Sequence, residues 1–177
     1  MIRKVKILLL LIQLCVFGQM TSTQVGVDLI KNFEGFRSKA YLCPAQVWTI
    51  GYGSTRGVNE GMVITKYEAE LLLIEDMRRF ERHVNDRVYR LISWYEFDAL
   101  VSFSFNLGYR IKGRLQRFIN EGNTQSAMYV LKLYNKARIG GVLTVLPGLV
   151  KRRNAEAFLY TTGCESQLRE RYLTNLR

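Results

Sequence analysis

A strongly apolar segment in the middle of the chain, YEFDALVSFSFNLG at residues 95–108, restricts the possible folds more than any other. Ser93 and Glu96 form the capping-box pattern that marks a helix start, and Gly108 is a residue type at which helices end. A helix with so many apolar side chains must be covered by other elements. We therefore predict that this helix lies at the centre of the core.

A shorter helix is predicted near the N-terminus. Val27, Ile30 and Phe33 recur at helical spacing, and Gly35 follows at a position suited to a helix end. This pattern places Glu34 at the C-terminal edge of the helix.

A β-hairpin is predicted directly after this helix. The β-prone runs KAYLC and QVWTIGYG are joined by the short connection Pro44-Ala45-Gln46. We expect Cys43 and Thr49 to lie on neighbouring strands.

The rest of the chain is predicted to be helical. Thr65 and Glu68 form a second capping box ahead of YEAELLLIEDMRRFERHV. The side chains of this helix that we expect in the interior are Leu71, Leu72, Ile74 and Met77. Four later helices are predicted at RLQRFINEG, QSAMYVLKLYNKA, LVKRRNAEAFLY and CESQLRERYLTNL. Together these elements predict the α+β class, mostly helical, with a small antiparallel hairpin and a cleft between two lobes.

The N-terminus has the composition of an export segment. Arg3, Lys4 and Lys6 precede an apolar run of about fourteen residues. Because a stable membrane span needs roughly 20 apolar residues, we expect only marginal retention in a bilayer. We divide the chain into an export segment at residues 1–23 and a folded domain at residues 24–177. Cleavage after Gly18 and release of the intact segment both remain open.

The net charge is +11, and three of these positive charges precede residue 21, so residues 21–177 carry +8. Such a surplus attracts nucleic acids, anionic membrane surfaces or acidic cell-wall polymers. A nucleic-acid-binding protein would also interleave exposed aromatic residues with its basic face. Here most aromatic residues occupy helical core positions, and an export segment would place the protein outside the compartment that contains nucleic acid. We therefore expect no nucleic acid partner.

Three cysteines, Cys15, Cys43 and Cys164, are an odd number for an exported chain, which leaves at least one thiol over. Their spacing has no paired metal-binding motif, and the only histidine, His83, lies on a helix among charged residues. We expect no metal ion. A cysteine hydrolase with His83 as base is disfavoured, because no Asn or Asp can be assigned to orient that histidine.

Glu34, Cys43 and Thr49 offer the groups that cleavage of a glycosidic bond requires. The helix end and the apolar neighbours Phe33 and Phe36 favour the protonated, acid form of Glu34, whereas the nearby Lys31 and Arg37 favour its ionised form. The Cys43 thiolate and the Thr49 hydroxyl are suited to hold a water molecule. Each residue taken alone also has a simpler interpretation. Glu34 would be a solvated surface acid, Cys43 a small buried hydrophobic residue, and Thr49 a β-branched residue that only packs within its strand.

The order and spacing of several motifs resemble phage-type lysozymes, glycoside hydrolase family 24. Besides the three spaced residues, the resemblance rests on WTIGYGSTRGV, GMVIT, YEFDALVSFSFNLG, YNKA and LPGLVKRRNAE, within residues 25–160. It implies a lysozyme-like fold, no cofactor, and hydrolysis of the β-1,4 bond between N-acetylmuramic acid and N-acetylglucosamine in peptidoglycan, with inversion. It carries over Glu34, Cys43 and Thr49 as catalytic positions. Arg152 and Arg153 become candidate substrate-binding residues near the cleft, and which of the two faces Glu34 remains open. The alternative is a solvated charged face.

Two positions depart from the family pattern. Asp is commoner where this chain has Cys43, and many relatives have His where Ser54 follows GYG. The Cys variant resembles a subgroup with an N-terminal signal-anchor-release segment. For this chain the resemblance implies a monomer exported to the bacterial periplasm and at first tethered to the inner membrane by residues 7–20.

The three cysteines lead to a hypothesis of redox control. In the oxidising periplasm Cys43 would pair with Cys164, and release of the anchor would let Cys15 attack that disulfide and free Cys43. The simpler interpretation is that Cys15 is an apolar member of the leader and Cys164 starts a helix.

Two other functions remain open. A lytic transglycosylase cleaves the same bond with a single Glu and without water, and a cell-wall-binding protein would have lost activity altogether. The presence of Cys43 with Thr49 as a water-holding pair favours hydrolysis.

Overall fold

The computed structural model describes residues 19–175, with side chains described as far as residue 163. The described part is mostly helical with two small antiparallel hairpins, so the predicted α+β class is confirmed. In chain order the elements are α1 (Gln24–Glu34), β1 (Arg37–Leu42), β2 (Trp48–Gly51), α2 (Lys66–Asn85), α3 (Trp94–Leu107), α4 (Gly113–Asn120), α5 (Thr124–Lys132), β3 (Lys136–Ile139), β4 (Val142–Val145) and α6 (Pro147–Asn175).

Helix α3 is the predicted central helix. Its capping box is complete, because the Glu96 N–H donates to Ser93 Oγ (3.2 Å) and the Ser93 N–H donates to Glu96 Oε2 (2.8 Å). Residues 96–104 are all buried, and α3 packs against α1, α2 and α6. Gly163 of α6 lies so close that an added Cβ would stand 2.2 Å from Ser93 Oγ. The core is therefore built around this helix, as predicted.

Helix α2 begins at the predicted capping box, but part of its predicted interior face is wrong. Leu71 is 50% exposed and Ile74 is 39% exposed, whereas Leu73 and Met77 are buried. The full buried stripe is Ala69, Leu73, Met77, Phe80, His83 and Val84. Since a helix turns about 100° per residue, a run of four adjacent apolar residues cannot face the core together. Packing against α3 and β2 decided which of them does.

The hairpin β3–β4 replaces the second half of a predicted helix. Helix α5 ends at Lys132, and the segment YNKA that we expected to continue it instead leads into β3. Gly140 and Gly141 both have positive φ (54° and 85°), which allows the two-residue turn between the strands. The β-branched residues of VLTV favour the returning strand.

Helix α6 is continuous from Pro147 to Asn175, where two separate helices were predicted. Gly163, at the predicted break, does not end the helix, and its lack of a side chain leaves the room in which α6 packs on the start of α3. In residues 19–175 no helix is both long and apolar enough to cross a membrane. The predicted export segment lies almost wholly outside the described residues.

The first described residues are hydrogen-bonded to helices α2 and α3. The Met20 N–H donates to Asn85 Oδ1 (3.0 Å), and Asn85 Nδ2 donates back to the Met20 carbonyl (2.9 Å). The Thr23 N–H and hydroxyl both donate to the buried carboxylate of Asp98, at 2.9 and 2.5 Å. Burial raises the pKa of Asp98, and the two hydrogen bonds from Thr23 oppose that rise. These contacts fix the start of α1 and therefore the position of Glu34 at its end.

Candidate active site

Glu34 is the last residue of α1, as predicted. Gly35 ends the helix with φ 71°, and its N–H donates to the Lys31 carbonyl at 3.1 Å. The Glu34 side chain is 24% exposed, so it is reachable from solvent while most of its surface is covered.

Arg152 is the basic residue that faces Glu34, a choice that the sequence left open. Its Nη1 donates to Glu34 Oε1 at 2.6 Å, and its guanidinium carbon lies 5.3 Å from the centre of the Phe33 ring. The Arg152 side chain is 4% exposed. The two residues stand 118 positions apart in the chain, so the contact exists only because α6 packs beside the end of α1.

A buried polar network holds Arg152 in place. Arg152 Nε donates to Glu156 Oε1 (3.2 Å), and its Nη2 donates to the Ser102 carbonyl (3.2 Å). Arg153 Nε lies 2.8 Å from Glu156 Oε2, and its Nη2 donates to Asn106 Oδ1 at 3.1 Å. Burial raises the pKa of Glu156, and the two guanidinium groups oppose that rise. With both arginines buried, the interpretation of Arg152 and Arg153 as a solvated charged face is wrong.

Glu156 was missed by the sequence analysis, although a signal for it was present. It stands four residues after Arg152 and three after Arg153, the two spacings at which side chains meet on a helix. Ser102 was missed as well, because only tertiary packing brings its hydroxyl within 2.8 Å of Glu156 Oε1.

Cys43 lies one residue beyond β1, in the turn, rather than on the strand where we predicted it. The turn is closed by the Cys43 N–H donating to the Val47 carbonyl (3.0 Å) and the Gln46 N–H donating to the Cys43 carbonyl (2.8 Å). The Cys43 side chain is half-buried and forms no disulfide with any described side chain. Hydrogen bonds from the backbone of Val47 and Ala45, and then from the Thr49 hydroxyl, hold the pKa of the Cys43 thiol below its ordinary value.

Thr49 lies on β2, as predicted, and is 4% exposed. Its hydroxyl donates to the Val47 carbonyl at 3.0 Å and is also within hydrogen-bonding reach of the Cys43 sulfur. A hydroxyl carries one proton, so it serves one of these acceptors at a time. When Cys43 ionises, the sulfur becomes the stronger acceptor, and the hydroxyl can turn towards it.

The lowered pKa gives a prediction about the reactivity of Cys43. We expect Cys43 to be alkylated by iodoacetamide at a lower pH than an unperturbed thiol, because its thiolate persists to lower pH. Thr49→Val removes one hydrogen bond to the thiolate, so the midpoint of the pH profile should move upward. Mass spectrometry of the Cys43 peptide measures this without interference from Cys15 and Cys164. A midpoint that stays where it is in Thr49→Val would contradict the assigned hydrogen bond.

Side-chain contacts join Lys31 of α1, and Phe36 just after α1, to Tyr52 just after β2. Phe36 and Tyr52 rings lie 5.7 Å apart, and Lys31 Nζ lies 5.8 Å above the Tyr52 ring. Among the described residues no hydrogen bond joins Glu34 directly to Cys43 or Thr49. Two cavities have volumes of about 350 and 440 Å³, and neither is lined by Glu34, Arg152, Cys43 or Thr49. The described contacts thus form two units, Glu34 with Arg152 and Cys43 with Thr49.

Two residues that the sequence analysis discussed lie apart from these units. His83 is buried on α2 with its ring edge against Tyr109, 5.0 Å between centres, and burial lowers the pKa of this histidine. No described contact links it to Cys43, so the structure gives no support to a Cys–His hydrolase. Ser54 is buried beside β2. Among the described side chains no group of His, Cys, Asp and Glu residues is arranged to hold a metal ion.

The chain is similar to known phage proteins along most of its length. Residues 31–156 match the family model for phage lysozyme. The endolysin of Acyrthosiphon pisum secondary endosymbiont phage 1 is 38% identical over 143 residues, which cover 80% of this chain and 98% of the relative. The SAR-endolysin of Pseudomonas phage phiKMV is 37% identical over 125 residues, 70% of this chain and 78% of the relative.

One solved relative is known in two forms. The active form of P1 phage endolysin Lyz has a TM-score of 0.71 and 28% identity, covering 83% of this chain and 88% of that chain. The secreted inactive form of the same enzyme has a TM-score of 0.52 and 27% identity, covering 81% and 97%. The described structure is therefore more similar to the active form.

Proposed function

The chain belongs to the phage lysozyme family, and we therefore propose that Glu34 is the general acid with which it hydrolyses peptidoglycan. The scissile bond is the β-1,4 bond between N-acetylmuramic acid and N-acetylglucosamine, and the reaction inverts the anomeric carbon. Cys43 and Thr49 place the attacking water.

The contact between Arg152 and Glu34 is the observation that supports this proposal best. Arg152 holds Glu34 Oε1, and Glu34 Oε2 has no hydrogen bond to any described residue. Arg152 is itself held by hydrogen bonds to Glu156 and to the Ser102 carbonyl, so its guanidinium is positioned to orient the carboxyl group. Oε2 is then free to carry the proton towards a glycosidic oxygen.

In the proposed reaction the first hairpin, which carries Cys43 and Thr49, handles the attacking water. Glu34 gives its proton to the leaving glycosidic oxygen, and water attacks the anomeric carbon from the opposite face. The water gives its proton to the Cys43 thiolate, whose lowered pKa keeps it ionised to lower pH. Thr49 orients the water through its hydroxyl. Solvent then returns a proton to Glu34 and takes one from Cys43.

The stereochemistry of the first product tests this mechanism. We expect digestion of purified peptidoglycan to release reducing ends that are initially the α-anomer, because the β bond is cleaved with inversion. Proton NMR at early times measures the anomer, and mass spectrometry measures 1,6-anhydromuramic ends. Anhydro ends would identify a lytic transglycosylase instead, and a β-anomer would contradict the inverting role of Cys43 and Thr49.

The route to the substrate is the second part of the proposal. The apolar run at residues 7–20 would carry the chain to the periplasm and tether it to the inner membrane as a monomer. The similarity to a SAR-endolysin supports such a tether. The first eighteen residues lie outside the described part, so this assignment rests on the sequence and on that relative.

Redox control of Cys43 is the third part of the proposal. The described structure is more similar to the active than to the secreted inactive form of P1 phage endolysin Lyz. This similarity supports a released enzyme in which the Cys43 thiol is available. The side chains of Cys15 and Cys164, which the hypothesis pairs with Cys43 in turn, lie outside the described residues.

Peptide mapping without reductant tests this control. We expect Cys43 to be linked to Cys164 in the membrane-tethered protein, and to be free after membrane depolarisation has released the anchor. Cys15→Ser should be released and yet keep the Cys43–Cys164 link, because it has no thiol with which to attack. A free Cys43 in the tethered protein would refute the control while leaving the hydrolase assignment intact.

A further inference from the structure

The second hairpin, β3–β4, takes no part in the proposed mechanism and exposes its apolar side chains. The aliphatic residues Ile139, Val142, Leu143 and Val145 are 48–67% exposed. The hairpin is nevertheless well formed, because all four residue pairs of its ladder are in register and the Leu146 N–H donates to the Asn135 carbonyl at 3.0 Å. These side chains are therefore displayed by a regular element rather than by a loop.

One face of the hairpin combines aliphatic and cationic side chains. Lys136 stands opposite Val145, and Arg138 stands opposite Leu143. Residues directly opposite in an antiparallel pair lie on the same face, so these four side chains form one patch. All four are exposed, and Arg138 is turned back to the tip by donating to the Gly141 carbonyl at 2.8 Å. Ile139 and Val142 flank the tip on the other face.

The surroundings of this face are basic. Residues 122–155 contain no Asp or Glu. A cavity of about 440 Å³ opens at the base of the hairpin, lined by Leu133 and Tyr134 with the exposed Lys112 and Arg114. Among the described side chains no ion-pair partner is present for Lys136, Arg138, Lys112 or Arg114, whereas Arg117, further along α4, pairs with Glu121.

We propose that the β3–β4 hairpin is a contact surface for an anionic phospholipid bilayer. Its aliphatic side chains would enter the boundary between headgroups and acyl chains, while Lys136, Arg138 and the cations at the cavity pair with lipid phosphates. A glycan strand fits less well, because Ile, Val and Leu side chains have no hydrogen-bonding group for its hydroxyls and amides. A second copy fits less well too, because two such faces would bring like charges together.

A tryptophan on the hairpin tests this surface in the full chain. We choose Leu143→Trp, and as its matched control Tyr67→Trp, since Tyr67 is 72% exposed on α2. Both variants keep the N-terminal segment and the native tryptophans, so any membrane binding by the leader is common to both. With phosphatidylglycerol vesicles that carry brominated acyl chains, we expect a blue shift and quenching in Leu143→Trp and neither in Tyr67→Trp. Phosphatidylcholine vesicles should produce at least about tenfold less of this quenching.

Neutralising the cations sharpens the test. Lys136→Gln with Arg138→Gln in the Leu143→Trp background should weaken the quenching about tenfold or more, since each cation near an anionic surface strengthens binding. Equal quenching in the hairpin and control variants, or equal quenching by both lipids, would overturn the proposal. An emission shift caused by purified peptidoglycan alone would assign the hairpin to substrate. A shift that grows with protein concentration in the absence of vesicles would assign it to a second copy.

Discussion

Glu34→Gln is expected to abolish lysis of outer-membrane-permeabilised Gram-negative cells. Glutamine fills the same space and can still accept a hydrogen bond from Arg152, but it has no proton to give to the leaving oxygen. Losing a general acid costs about 10²–10⁴ in rate, so turbidity should fall no faster than in the buffer control over an ordinary assay. The measurement is the fall in turbidity at equal protein concentration.

The matched control for this variant is Glu60→Gln, which removes one carboxylate from an exposed loop position without a described partner. It should lyse cells at the wild-type rate. Thermal melting of Glu34→Gln checks that the variant is folded. We expect it to be, because Arg152 keeps its contacts with Glu156 and Ser102. Retained lysis by a folded Glu34→Gln protein would remove Glu34 from the acid role.

Glu156→Gln is expected to cause the largest loss of stability of any single polar substitution near the site. Glu156 is fully buried and is the carboxylate that Arg153 contacts, so its loss leaves a buried guanidinium without a described counter-charge. Breaking a buried pair in this way costs roughly 3–5 kcal/mol in the free energy of unfolding. For a domain of this size we expect the melting temperature to fall by roughly 10 °C.

Glu75→Gln is the control, since it breaks an exposed i,i+3 pair with Arg78 on α2. An exposed pair of this kind contributes less than about 1 kcal/mol, so melting should hardly change. If Glu156→Gln melted like Glu75→Gln, the buried network would not hold the site together. Where the Glu156 variant stays folded at low temperature, lysis should also be slower, because Arg152 loses a contact that orients it.

Features set by neighbouring residues were predicted well from the sequence. Both capping boxes, the helix end at Gly35 and the position of Thr49 on a strand are all confirmed. Each depends on side chains within a few positions of one another, so the pattern itself contains the interaction. The family resemblance predicted the fold and the hydrolysis of peptidoglycan, and the comparisons confirm both.

Features set by packing were predicted poorly. Leu71 and Leu73 are chemically the same, and only contact with α3 and β2 buries one and exposes the other. The segment after Lys132 has residues that a helix tolerates, yet Gly140 and Gly141 turn it into a hairpin. Cys43 lies one residue beyond the strand on which it was predicted, because the turn that joins β1 to β2 begins one position earlier than predicted.

By itself the sequence determined the helix that carries Glu34, the hairpin that carries Thr49, and the family to which the chain belongs. Only the tertiary structure decided that Arg152, and not Arg153, holds the Glu34 carboxyl, and that the Ser102 carbonyl helps to hold Arg152. The physical reason is the range of the interactions. Caps and turns are made within a few residues, whereas Glu34 meets Arg152 across 118 positions through the packing of α1, α3 and α6.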